Sequence, residues 1–118
     1  MIFSSPRSFQ LVSYSAPHGL LLFRSAKTLT SRTRLDLLFQ DVRAMEVRSW
    51  FEGIVIEERD SSFLVQFASA PTDMLEPGLR AYRLSSRSWS GYVLGGIVRS
   101  HEDDGDALAP SALIEGSM

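Results

Sequence analysis

An all-β fold, a single small antiparallel barrel or sandwich of about six to eight strands, is what this chain predicts. Three observations carry that expectation. Runs rich in β-branched and aromatic residues alternate with a period of two, turn-forming clusters of Gly, Pro, Asp and Ser interrupt them about every ten residues, and no long amphipathic helix competes. With 118 residues, 44% of them hydrophobic, the chain has enough apolar surface for one core and too little length for two. Residues 1–100 are expected to form that domain. Residues 101–118, carrying Glu102, Asp103, Asp104 and Asp106, are expected to form an acidic, loosely held tail.

The elements follow in order. Phe9, Leu11 and Ser13 alternate with Gln10, Val12 and Tyr14, and Ala16-Pro17-His18-Gly19 supplies a turn into Leu20-Leu21-Leu22-Phe23, so a first hairpin is predicted. The second arm is apolar on both faces and belongs at the centre of the sheet. Ala26 to Arg32 has no pattern and reads as a loop. In Arg34 to Gln40, Leu35, Leu37 and Phe39 share one face while Arg34, Asp36 and Gln40 share the other, which predicts a half-buried strand. Val42 to Trp50 is read as a strand bent at Asp41; the alternative is an α+β roll with one short helix around 42–50. Ile54-Val55-Ile56 and Phe63 to Phe67, joined by Arg59-Asp60-Ser61-Ser62, predict a second hairpin. Between Pro71 and Gly78 there is room for one short helical turn capped by Asp73. Arg80 to Ser86 and Gly91 to Arg99 are the last strands, and Gly95-Gly96 marks a bulge, a bend or a close approach.

Bulk chemistry narrows the function classes. A net charge of −2 argues against a general nucleic-acid binder, which needs a concentrated positive surface. No cysteine means no thiol catalysis, disulfide or cysteine-ligated metal, and fits a reducing, cytoplasmic setting. The longest early apolar run, Leu20 to Phe23, is too short to span a bilayer, so no membrane partner is expected. Lys27 is the only lysine; the other basic residues are arginines, suited to bidentate recognition and stacking, although a coding bias produces the same count.

Specific motifs fail one by one. Gly91 to Gly96 looks like a phosphate loop but lacks the following Lys-Ser/Thr and a helix. An EF-hand centred on Gly105 puts Ser100 and Ser111 where carboxylates are required. His18 and His101 have no partner at metal-ligand spacing, Glu57 and Glu58 fall on opposite faces of a strand, and no serine sits in a nucleophile elbow. No metal, cofactor or catalytic residue is therefore predicted, and the expectation leans away from an enzyme.

Arginines and aromatics where strands meet turns remain: Arg48-Ser49-Trp50-Phe51, and Arg83 through Arg87 to Trp89 and Tyr92. Trp, Tyr and Arg dominate interface hot spots because they bury much area and keep a polar handle. Trp50, Phe51, Arg83, Arg87, Trp89 and Tyr92 are accordingly the candidate surface of a non-enzymatic interaction module, binding a protein partner or a second copy. The competing reading is a barrel whose apolar interior, lined from Leu22, Phe39, Ile56, Phe67 and Leu94, encloses a small apolar ligand. The stretch Leu37 to Glu46, running into Phe51-Glu52-Gly53-Ile54, resembles in its hydrophobic pattern small bacterial β-rich proteins, immunity-type proteins that block a partner toxin among them. What that resemblance implies is partner binding.

Overall fold

The computed structural model describes residues 2–71 and 78–115. Eight strands, β1 (Phe3–Ser15), β2 (Leu20–Ser25), β3 (Arg34–Gln40), β4 (Ala44–Glu46), β5 (Trp50–Arg59), β6 (Arg80–Ser85), β7 (Ser90–Gly95) and β8 (Ile97–Asp103), form one antiparallel sheet. Its order is β4-β7-β6-β5-β1-β2-β3-β8. Two four-residue helices, α1 (Ser61–Leu64) and α2 (Ala112–Glu115), lie outside it. The all-β expectation holds, and Val42 to Trp50 is strand and loop rather than the helix of an α+β roll. No helix among the described residues is long and apolar enough to cross a membrane.

Two bends roll the sheet into a barrel-like form. β3 runs into β4 through Asp41, whose φ of 57° is left-handed, and β7 runs into β8 through Gly96. The β3–β8 ladder ends at Gln40↔Ile97, and the β4–β7 ladder resumes at Ala44↔Leu94. Backbone bonds from Gly96 N–H to the Gln40 carbonyl and from Arg43 N–H to the Leu94 carbonyl, 2.9 and 2.8 Å, bridge the break. The two ends of the strand order are thereby held by one bent pair of chain segments. Close approach explains the paired glycines: a Cβ on Gly95 would lie 3.3 Å from the Gln40 carbonyl oxygen, and one on Gly96 3.2 Å from Asp41 Cβ.

Inside the roll, Phe9, Phe23, Phe39, Phe51 and Tyr82 interlock with Leu21, Leu37, Ile54, Ile56, Leu84 and Val93. Their rings meet at centroid separations of 5.3–6.3 Å, mostly edge to face, the arrangement ring quadrupoles favour. The outer face carries two smaller clusters: Leu20, Leu22 and Leu38 under Leu113 of α2, and Ala81 and Tyr92 under Phe63 and Leu64 of α1.

Several local expectations change. The first hairpin forms, but β1 begins at Phe3 and pairs with β5 as well as β2. The second hairpin does not form. Asp60 caps α1 by accepting from the Ser62 N–H, so Phe63 and Leu64 fold back on the sheet as a helical turn, and β5 pairs with β6 instead. β3 is buried on both faces, because Arg34 and Asp36 are covered by residues 105–111 rather than by water. The acidic stretch differs likewise from a loose tail: Ile97–Asp103 is a strand paired along its length with β3, and the residues beyond it are tied down by arginines. The proposed Asp73 cap lies outside the described residues.

Candidate functional site

Cross-strand register decides which candidate residues meet. β5 opens at Trp50 beside Phe51, and the β6–β7 turn, residues 86–89, comes back over the same end of the sheet. Alternation then separates neighbours. Phe51 turns inward, 2% exposed, and stacks on Phe9, whereas Trp50 turns outward and is 52% exposed. Trp89 is half-buried and stands edge-on to Phe51, with centroids 5.4 Å apart. Gly91 makes that position available, since a Cβ there would collide with the Glu46 carbonyl oxygen and with Trp89 Cζ3.

Arg48 and Arg87 complete this end. The Arg48 guanidinium lies 5.9 Å from the Trp89 ring centroid, within cation–π range. Arg87, 83% exposed at its side chain, approaches Glu52 at 3.9 Å, and Ser86 Oγ donates to the Glu52 carbonyl at 2.7 Å. Together Arg48, Trp50, Glu52, Ser86, Arg87 and Trp89 line an open depression of about 290 Å³. Trp89 Nε1 is buried and has no hydrogen-bond partner among the described residues, an unmet donor of the kind interfaces and bound groups satisfy.

Three of the predicted residues, Trp50, Arg87 and Trp89, thus reach one surface, with Phe51 as its floor. Two do not join it. Tyr92 is 1% exposed, packed on Phe67 at 5.0 Å with its hydroxyl 3.2 Å from Ser69 Oγ, so it belongs to the cluster under α1. Arg83 stands opposite Glu57 on β5, 3.9 Å away, outside the depression. Arg48, by contrast, takes a central place because its guanidinium reaches Trp89 across the turn.

No family model, curated protein or solved structure matches the chain.

Nor do the residues expected to line an apolar interior share one space. Phe39 and Ile56 lie in the central cluster, Leu22 on the opposite face beneath α2, and Phe67 beside α1. Aromatic rings occupy the middle of the roll, so this chain packs its interior with its own side chains.

Proposed function

We propose that this chain is a non-enzymatic protein-interaction module of the cytoplasm, and that its docking surface is the end of the sheet built by Arg48, Trp50, Arg87 and Trp89. The observation that supports it is an indole left half in water beside a second, edge-packed indole and two exposed guanidiniums. Exposed large aromatics cost solvation unless something covers them, and Trp and Arg are both among the residues enriched at interface hot spots. Two arginines against Glu52 alone leave an excess of positive charge. The partner chemistry that fits is a protein segment bearing carboxylates next to an apolar side chain, whose acids would pair with the guanidiniums while the apolar group covers Trp50.

Native mass spectrometry of the full chain, purified gently from its own host, tests this. The expected spectrum contains a stoichiometric second protein, or a second copy, that is lost from the Arg48→Glu/Arg87→Glu variant while the melting temperature stays unchanged. A monomer that carries no protein partner, or a complex indifferent to both charge reversals, would overturn the proposal.

A further inference from the structure

Trp50 also borders a second depression, on the side away from Trp89. This groove, of about 400 Å³, has β1 and β2 as its floor and the 26–33 loop as its far wall. Register sets up the floor. Gln10 on β1 stands opposite Trp50 on β5 and opposite Arg24 on β2, so Arg24, Gln10 and Trp50 make one row across three strands, with Ser8 two residues along the same face. The loop contributes the hydroxyls of Thr28, Thr30 and Ser31, and it is held in shape by Thr28 Oγ1, which accepts from the Thr30 and Ser31 N–H groups.

Charge at this groove is already matched. Arg7 meets Glu102 at 3.3 Å and donates to the carbonyl and hydroxyl of Thr33, and Arg24 forms a two-pronged pair with Asp36. Arg32, in the same loop, is not among the lining residues, so a phosphate or carboxylate in the groove meets only these two guanidiniums, both already paired. What the groove offers is an exposed indole face, an exposed amide and a set of hydroxyls. A pyranose ring has the complementary make-up, with an apolar C–H face that stacks on an indole and hydroxyls that both donate and accept. The volume is that of a small-ligand site.

We infer that this groove binds a neutral oligosaccharide, with Trp50 as the stacking platform and Gln10, Thr28 and Thr30 as the polar contacts. The site is separate from the Arg48–Arg87 surface except for the shared indole, so variants on either side tell the two apart.

The full chain would be screened against neutral hexasaccharides, α- and β-linked glucans, mannan, xylan and chitin oligomers, with inorganic phosphate as the anionic probe. Binders would then be titrated by tryptophan emission in the Trp89→Phe variant, which leaves Trp50 as the only indole. At least one hexasaccharide should shift that emission. Trp50→Ala and Gln10→Ala should each weaken binding about tenfold or more at unchanged melting temperature, and Arg48→Glu/Arg87→Glu should leave it intact. Because Gln10 is exposed and its side chain makes no hydrogen bond among the described residues, its variant remains informative even if Trp50→Ala unfolds. Absence of binding to every hexasaccharide, binding that survives Gln10→Ala, or phosphate bound in their place would overturn the inference.

Discussion

Over β2 and β3 the outer face of the sheet is covered by residues 105–114; over β6 and β7 it is covered by residues 61–70. Leucines contribute to both, yet the fastenings are of opposite kinds. The first cover is tied by guanidiniums: Arg24 donates to the carbonyls of Ala107 and Ala109, and Arg34 to those of Asp106, Ala109 and Pro110. Asp36 and Asp103 hold those two arginines in place through paired bonds of 2.7–3.1 Å. The second cover is tied by rings, Phe63 on Phe67 at 5.3 Å and Phe67 on Tyr92 at 5.0 Å. An irregular segment has many backbone carbonyls to satisfy and few side chains to bury, so it needs donors; a helical turn satisfies its own backbone and can be held by apolar contact.

Removing Asp36 should break this contrast most severely. The carboxylate is fully buried and accepts two bonds from Arg24, itself 5% exposed, so Asp36→Ala leaves a guanidinium in the interior without its counter-charge. The expected loss is about 3–5 kcal/mol in urea unfolding. Replacing both partners, Arg24→Met with Asp36→Leu, should restore much of that stability while opening the cover and exposing the 105–109 amides to hydrogen exchange, because the bonds to the Ala107 and Ala109 carbonyls go with the guanidinium. A single-variant loss below about 1 kcal/mol would mean that water reaches Arg24 and that Arg34 alone holds the cover.

Phe63→Ala attacks the other cover and should cost about 3 kcal/mol, the transfer and cavity terms for a buried ring. The two covers share no partner, so this loss should add to that of Asp36→Ala within about 0.5 kcal/mol. Strong coupling would instead show that the covers open as one unit.

The same comparison shows where the amino-acid pattern was legible. Strand positions, the Asp41 bend and the Gly95-Gly96 corner follow from alternation and backbone sterics, which are local. Arg34, Asp36 and Arg24 look like solvent-facing positions, since alternation reports which face a residue takes and cannot report that a segment some seventy residues further along the chain covers that face. Phe63 to Phe67 alternates as a strand does, yet the local competitor, an Asp60 cap followed by two serines, wins because β6 already occupies the free edge of β5. At the surface end, Trp50, Arg87 and Trp89 were legible from composition near turns. The Arg24–Gln10–Trp50 row was not, because it exists only once β1 is known to pair on both sides.

Acid should loosen the ionic cover selectively, and by the smallest amount of the three changes. The Arg34 hydrogen bonds, helped by the Gly105 N–H, hold the Asp103 carboxyl down to about 2, against an ordinary value of 3.8. Its folded-state value is depressed, so the unfolded chain takes up the proton first as pH falls. The contribution is fully present above pH 3.8 and is lost as pH drops toward 2. Its ceiling is about 2 kcal/mol, reduced by screening because the Asp103 side chain is 24% exposed. Unfolding free energy measured from pH 5 to 2 for the native chain and for Asp103→Asn should therefore converge at the acid end, the native chain losing the extra slope, while Phe63→Ala keeps the native slope throughout. Equal slopes in the native chain and Asp103→Asn would assign the fastening of residues 105–110 to Arg24 and Asp36 instead.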